Sequence, residues 1–203
     1  MAQPFFYLLA GPNGVGKSSL YRAAVADQLI PGDAEFINAD LYEAAYLLHV
    51  TDPQARSEQA RLWADGRRAE MLKIGQSFVS ETVFSHVSKL ALIDEAKMCG
   101  FAVVLLVVCL DDPQRLLARV HYRVSEGGHD VPAERILARY PRTLDNLTQA
   151  VRKAHMAMLY DTGSSAKDGV NCPVRVAVCR GWVTKVLVED LPEWAKQVLG
   201  LRG

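Results

Sequence analysis

Residues 11–18 constrain the fold of this chain more than any other stretch. They read Gly-Pro-Asn-Gly-Val-Gly-Lys-Ser and match the pattern G-x-x-x-x-G-K-[ST]. The glycines of this pattern let the backbone curl so that successive N–H groups point inward at phosphate oxygens. Lys17 would then reach the β- and γ-phosphates of a nucleotide, and the Ser18 hydroxyl would bind Mg²⁺. A helix beginning at Lys17 would direct its N-terminal dipole at the same anion.

The flanking sequence supplies the context that this pattern requires. Residues 5–10 form an apolar run of strand length, and residues 19–26 have the composition of a helix. Strand, glycine loop and helix in this order indicate a phosphate loop, whereas a glycine-rich turn with an incidental lysine is the alternative. The sequence therefore predicts that ATP binds to the following residues: Gly11, Pro12, Asn13, Gly14, Val15, Gly16, Lys17, Ser18 and Ser19.

Composition and charge indicate one globular domain over residues 1–203. The chain has 23 basic and 23 acidic residues, so no net charge points to nucleic acid or a membrane as a partner. Its 4 cysteines show neither C-x-x-C nor zinc-type spacing, which is typical of reduced thiols in the cytoplasm. The first apolar run leads directly into the glycine loop, so we expect no signal peptide. The longest apolar run, residues 101–110, is too short to span a bilayer.

Strand-like and helix-like segments alternate along the chain. We expect strands at residues 34–38, 77–80 and 101–110, separated by helices, and the unbroken apolar character of the last strand argues for burial on both faces. This alternation predicts an α/β fold, a three-layer α/β/α sandwich around a mainly parallel sheet. Further on, we expect a helix over 144–158, a loop at 161–165, strands at 174–179 and 183–188, and a terminal helix.

Acidic side chains follow two of the predicted strands. Asp40 comes after the second strand, and Glu81 and Thr82 end the third; ligands of open α/β sheets bind outside the carboxyl ends of strands. Asp40 is therefore well placed to contact a ligand, although it could also cap the next helix. Glu81 is a candidate ligand of Mg²⁺ or substrate, and Thr82 and Glu70 are candidates for substrate binding.

Arginines recur on two predicted helices joined by a glycine segment. Guanidinium groups suit phosphate oxygens and stabilise charge on a transferring phosphoryl group, so we expect a small helical lid over about residues 113–142. Solvated helix faces are the alternative. Pro141 is expected to kink or end the second helix. The candidates for catalysis are Arg119, Arg123 and Arg139; their neighbours in the two series are Arg115, Arg135 and Arg142.

Taken together, these segments resemble the zeta-toxin-like family of phosphate-loop kinases. The resemblance rests on the glycine loop, Ile37-Asn38-Ala39-Asp40, Ser80-Glu81-Thr82, the segment Gly127-Gly128-His129-Asp130-Val131-Pro132 and the arginines around it. It implies a kinase that uses ATP and Mg²⁺ to phosphorylate a UDP-activated amino sugar, with Asp40 as catalytic base and Glu81 and Thr82 in a substrate-binding strand. It also brings an antitoxin protein into consideration as a partner. The family often has an arginine after this glutamate, where the present chain has Val83-Phe84-Ser85.

The leading hypothesis is ATP-dependent phosphoryl transfer to a hydroxyl of a small molecule, such as a UDP-N-acetyl amino sugar. One alternative is a kinase for another acceptor, such as a nucleoside, another sugar or an antibiotic. A second alternative is a nucleotide-binding toxin or regulatory module that acts through a protein partner. The chain lacks the N-K-x-D motif of GTPases and the signature sequence of ABC-type ATPases, which argues against both classes.

Overall fold

The fold is a mainly parallel sheet with helices on both faces. The structure, a computed structural model, describes residues 3–125, 131–163 and 172–201. Within these residues, 7 strands form one sheet in the order β2-β3-β1-β4-β5-β6-β7. All pairs from β2 to β5 are parallel, and β6 and β7 are added antiparallel. The strands are β1 (Phe5–Ala10), β2 (Glu35–Ile37), β3 (Phe78–Thr82), β4 (Ala102–Cys109), β5 (Met156–Asp161), β6 (Val174–Arg180) and β7 (Val183–Val186).

The helices cover the two faces of the sheet and complete a three-layer sandwich, as predicted. Leu8 on β1 packs into a core with α3, α4, α6 and α7, whereas the adjacent Leu9 packs on the opposite face with α1 and α5. No helix in the described ranges is both long and apolar enough to cross a bilayer. The helices are α1 (Lys17–Ala26), α2 (Ala39–Tyr46), α3 (Pro53–Ile74), α4 (Leu90–Met98), α5 (Gln114–Ser125), α6 (Ala133–Lys153) and α7 (Glu193–Leu199), with a 3-10 turn at Val87–Lys89.

The strand β4 lies at the centre of the sheet between β1 and β5. Every residue from Ala102 to Cys109 is buried, which confirms the prediction of a strand covered on both faces. Since β1, β3 and β4 run parallel, their carboxyl ends meet at one edge of the sheet. That edge carries the glycine loop.

The predicted helix over residues 144–158 is wrong in its last third, from residue 154 onward. Helix α6 ends at Lys153, and Ala154 has φ −67° and ψ 153°, so the chain leaves the helix there. Residues Met156–Asp161 form β5, which pairs in parallel with β4. A short apolar run is compatible with a buried strand as well as a buried helix, and periodicity does not separate the two. Pairing with the exposed edge of β4 decides between them.

Pro141 does not end a helix, contrary to one of the two outcomes expected for it. It lies inside α6, which continues for 12 residues to Lys153. Arg142 donates a hydrogen bond from Nε to Ala138 O, adding a side-chain donor in the turn that the proline interrupts. Beyond the proline, Leu144 and Leu147 pack into the core, so burial of this face holds the helix together.

Candidate active site

The glycine loop between β1 and α1 has the backbone conformation of a phosphate loop. Gly14 has φ +78°, and a Cβ there would lie 2.8 Å from Leu116 O of α5. A Cβ on Gly11 would lie 2.1 Å from Val108 O of β4. Gly16, with φ +100°, is the N-cap of α1. The loop therefore needs glycine both for its left-handed turns and for the close approach of β4 and α5.

The N-terminus of α1 is free to bind an anion. Gly16 provides no side-chain cap, and the first turn of α1 contains no acidic residue. The Ser18 and Ser19 side chains in this turn are exposed. In the loop, the Asn13 Oδ1 atom is buried and has no hydrogen-bond partner among the described residues. Unfilled N–H groups at a helix start fit a bound nucleotide phosphate, whereas the Asn13 Oδ1 atom, an acceptor, would need a hydrogen-bond donor.

Lys17 is held across the mouth of the loop. It is buried, and its Nζ donates hydrogen bonds of 3.1 Å to both Gly11 O and Pro12 O. The same ammonium lies 3.5 Å from Glu81 Oε1 at the end of β3. The positive charge of Lys17 therefore already faces the space enclosed by the loop, and the carboxylate of Glu81 lies beside it.

Asn38 links Glu81 to the helix that carries Asp40. Its Nδ2 donates to Glu81 Oε2 at 3.0 Å, and its Oδ1 accepts from Leu41 N at 3.2 Å. Asn38 is thus the N-cap of α2, so the alternative that Asp40 caps this helix is wrong. Asp40 lies in the first turn with an exposed side chain. Its carboxylate is not used for capping and is free to contact a ligand at this edge of the sheet.

Glu70 is not near these residues, contrary to the sequence prediction. It is exposed near the end of α3, where Arg67 Nη1 contacts Glu70 Oε2 at 2.6 Å and Arg67 Nη2 contacts Glu35 Oε2 at 2.5 Å. Glu35 begins β2 and aligns with Phe78 at the start of β3. Arg67 therefore holds Glu70 at the amino ends of the strands, opposite the glycine loop.

The segment after β3 is fixed to α6. Thr82 O accepts a 3.3 Å hydrogen bond from Gly11 N, so Thr82 lies beside the glycine loop. Phe84 is fully buried with φ +63°, and its carbonyl accepts from Asn146 Nδ2 at 2.9 Å. Thr143 Oγ1 donates to Val83 O at 3.3 Å. The carbonyls of Val83 and Phe84 therefore tie the end of β3 to α6.

Arg119 lies next to the glycine loop through a contact that sequence reasoning missed. Its Nη2 donates to Thr162 O at 2.8 Å and its Nη1 to Thr162 Oγ1 at 3.1 Å. The Thr162 hydroxyl in turn donates to Val15 O in the loop at 3.1 Å. Arg115 binds the next carbonyl, Gly163 O. Thr162 directly follows β5. A residue at the end of a strand is a candidate for the site, but the sequence prediction assigned the start of β5 to a helix and so did not place Thr162 at a strand end.

Two arginines of the predicted lid, Arg119 and Arg139, are half-buried. Burial lowers the pKa of Arg119, and the charge of Arg115 lowers it further, against an opposing effect of Asp161. Burial likewise lowers the pKa of Arg139, with Arg135 adding to the effect. An anionic ligand would stabilise these half-buried guanidinium groups, because burial disfavours their charge. The Arg123 side chain and the glycine segment at 127–129 lie outside the described residues.

We expect Thr162→Val to lower the free energy of unfolding by about 1–3 kcal/mol and to weaken ATP binding. Valine keeps the shape of the side chain but leaves Val15 O and one Arg119 N–H without their partner. Urea unfolding and the shift in melting temperature with ATP measure the two effects. Thr148→Val is the matched control, because that hydroxyl donates to Leu144 O one turn back in its own helix. Equal effects of the two substitutions would contradict a role for Thr162 in the loop.

A magnesium site at this edge would use few protein ligands. The described residues contain no group of 3 or more His, Cys, Asp or Glu side chains placed to hold a metal ion. Mg²⁺ in nucleotide sites binds mainly through phosphates and water with one or two protein oxygens, so no such cluster is needed. The exposed Ser18 hydroxyl and the Glu81 carboxylate beside Lys17 are oxygen donors of this kind.

Comparison with solved structures supports the fold. A chain of the AvrRxo1-ORF1:AvrRxo1-ORF2 complex with sulphate ions aligns with a TM-score of 0.69 at 20% identity, over 91% of this chain and 61% of that chain. The present chain thus spans less than two thirds of that relative. A chain of the PezAT toxin-antitoxin system of Streptococcus pneumoniae aligns with a TM-score of 0.61 at 14% identity, over 99% of this chain and 84% of that chain.

A candidate kinase from Chloroflexus aurantiacus aligns with a TM-score of 0.55 at 16% identity, over 70% of this chain and 78% of that one. At such identities these likenesses show the fold alone, which is that of phosphate-loop kinases. No curated protein sequence matches the chain. The family model named zeta toxin matches residues 1–168, which is most of the 203 residues. The resemblance seen in the motifs is therefore confirmed, and the chain belongs to the zeta toxin family.

Proposed function

We propose that the chain is a kinase that transfers the γ-phosphoryl group of ATP to a hydroxyl group of a small molecule. One observation carries this proposal. Lys17 of the glycine loop contacts Glu81, and Glu81 accepts a hydrogen bond from Asn38 at the start of the helix that bears Asp40. The phosphate end and the acceptor end of a transfer site are thus joined by direct contacts. Membership of the zeta toxin family supports the same reaction class.

The residues of the candidate site would have different roles in an in-line transfer. The free N–H groups of the loop and of the first turn of α1 would bind the nucleotide phosphates, with Lys17 on the β- and γ-phosphates. When bound through Ser18 and Glu81, Mg²⁺ would neutralise phosphate charge. Asp40 would orient the acceptor hydroxyl and take its proton. Arg119 and Arg139, with Arg123, would stabilise charge on the transferred group.

The acceptor would bind between β3 and the α2–α3 pair. Tyr42 of α2 stacks on Trp63 of α3 with ring centroids 4.0 Å apart, and Arg56 contacts Glu43 at 3.1 Å. These contacts hold the helix of Asp40 in place. Thr82 would contribute to the same pocket from the end of β3. A UDP-N-acetyl amino sugar is the first acceptor to test, because the family resemblance points to it.

A protein partner is a second part of the proposal. The PezAT relative comes from a toxin-antitoxin system, and the AvrRxo1-ORF1 relative was crystallised in complex with a second protein. We propose that an antitoxin protein binds this chain as well. At most 20% of residues are identical between the chain and these relatives. The proposal of a partner therefore rests on the shared fold and not on a shared binding surface.

The test is a mass-spectrometric screen for addition of one phosphate. The protein is incubated with ATP and Mg²⁺ and with a panel of UDP-sugars, free sugars, nucleosides and aminoglycoside antibiotics. We expect one acceptor class to gain a phosphate in an amount equal to the ADP formed. Asp40→Asn serves as the inactive control. ATP binding without any phosphorylated product across the panel would argue for a nucleotide-binding module instead.

A further inference from the structure

A large cavity lies away from the glycine loop, between α3 and α4. Its volume is about 600 Å³, within the range of small-molecule sites in proteins. None of its lining residues belongs to the glycine loop, and it includes neither Asp40 nor Glu81. The cavity covers the face of the sheet that carries Phe6 and Phe78, near the amino ends of β1 and β3.

The inner wall of this cavity is apolar. Phe6 and Phe78 stack with ring centroids 4.5 Å apart, and both are almost fully buried. Leu72 of α3 and Leu92 of α4 continue the apolar surface on either side. Such a surface gains free energy by removing an apolar or aromatic group from water.

The charged groups around this apolar wall are mostly cationic. Arginine and lysine contribute 4 of the lining side chains, whereas aspartate and glutamate contribute 2. Asp65 is already shared, because it contacts Arg61 at 2.7 Å and also Arg68. The lining charges sum to +2, but Glu58, which lies outside the lining, also pairs with Arg61 at 2.5 Å, so one positive charge remains in excess. An anion inside the cavity would balance this charge.

Arg68 places part of this charge deep in the structure. The residue is only 8% exposed, and its Nε–H is buried with no hydrogen-bond acceptor among the described residues. Its Nη1 donates to Ser80 Oγ of β3 at 3.3 Å, which fixes the guanidinium against the sheet. Burial lowers the pKa of Arg68, while Asp65 opposes that effect. An incompletely paired guanidinium at this depth is costly unless another acceptor approaches it.

Lys89, which precedes α4, lies in the electrostatic field of Arg68. Burial lowers the pKa of Lys89, and the charge of Arg68 lowers it further. Two cations thus repel each other across a partly desolvated space. A negative charge placed between them would relieve this repulsion.

We propose that this cavity binds a free small molecule with an apolar or aromatic body and one acidic group, the body lying on Phe6 and Phe78 and the acid near Arg68 and Lys89. A small molecule fits better than a segment of a partner protein because the buried guanidinium lies against the sheet rather than at the rim. The site is independent of phosphoryl transfer.

The probe for this site is 8-anilinonaphthalene-1-sulfonate, and N-phenyl-1-naphthylamine is its uncharged counterpart with the same aromatic body. Fluorescence titrations are made on the full chain with saturating ATP and Mg²⁺, so that the glycine loop is not available to the sulfonate. We expect one sulfonate probe per chain. We also expect the uncharged probe to bind roughly tenfold more weakly, because it lacks the charge-assisted hydrogen bond of the sulfonate.

Two variants and one control locate the site. Lys89→Met should weaken binding of the sulfonate probe roughly tenfold and leave the uncharged probe unchanged. Ala69→Trp, which places a large side chain at the cavity lining, should weaken both probes. Lys97→Met, on the helix α4 that follows Lys89 but outside the lining, should change neither. Urea unfolding establishes that each variant folds.

Several outcomes would overturn the proposal. Stoichiometric binding of the sulfonate probe in titrations made without nucleotide, and its loss when ATP and Mg²⁺ are present, would place its binding at the glycine loop. Equal binding of the two probes would remove the role of the acid group. Normal binding by Ala69→Trp would show that the probes bind elsewhere.

Discussion

Replacing Asp40 with Asn should lower the rate of phosphoryl transfer roughly 10²–10⁴-fold and leave ATP affinity within about twofold of the original value. An amide of the same shape keeps the first turn of α2 but does not take a proton from an acceptor hydroxyl. The helix itself should be unaffected, because Asn38 rather than Asp40 provides its cap. Single-turnover transfer to the identified acceptor and ATP titration measure the two quantities separately.

Asp33→Asn is the matched control for this experiment. Asp33 is another exposed aspartate, located in the turn before β2. Its replacement removes the same formal charge before β2 instead of after it, and should leave transfer unchanged. Normal turnover in Asp40→Asn would mean that another group accepts the proton, and the assignment of the base would then be wrong.

Lys17→Met should lower transfer by roughly 10²–10³-fold and weaken ATP binding, because the ammonium that faces the β- and γ-phosphates is lost. The same change removes the cation 3.5 Å from Glu81, a carboxylate that is only 14% exposed. We therefore also expect the free energy of unfolding to fall, by about 1 kcal/mol or more. Transfer assays and urea unfolding measure the two losses.

The double variant Lys17→Met, Glu81→Gln separates these two consequences. Removing the unpaired carboxylate should restore stability. Transfer should remain at or below the level of the single variant, because Glu81 is also the proposed Mg²⁺ ligand. Lys185→Met on the exposed strand β7 is the control for loss of one positive charge. If the double variant regained transfer, Lys17 would act in catalysis only by neutralising Glu81, and its role on the phosphates would be wrong.

The glycine loop and the parallel core were predictable because local patterns specify them. Residues 11–18 need glycine at positive φ, and β4 needs an unbroken apolar run to be covered on both faces. The bounds of α3 also follow from local signals, since Asp52 caps it, Pro53 begins it and Gly75 ends it. Each of these features depends on neighbours in sequence, so it can be inferred without a fold.

The errors occurred where partners distant in sequence decide the structure. Residues Met156–Asp161 are a strand because β4 offers an unpaired edge, and Pro141 stays inside α6 because the following turns are buried in the core. Glu70 lies at the opposite end of the sheet from the loop, where its helix neighbour Arg67 binds Glu35, 32 positions away in sequence. None of these contacts has a signature in a short window of sequence.

The candidate site also has some features that local sequence specifies and others that depend on residues distant in sequence. The sequence by itself determined which residues form the phosphate loop and that acidic side chains follow β2 and β3. Only the tertiary structure decided that Asn38 joins Glu81 to α2, that Thr162 ties Arg119 to the loop, and that Glu70 lies elsewhere. A loop conformation is set by the residues that form it, whereas a hydrogen bond between residues 43 or 147 positions apart exists only when the sheet has brought them together.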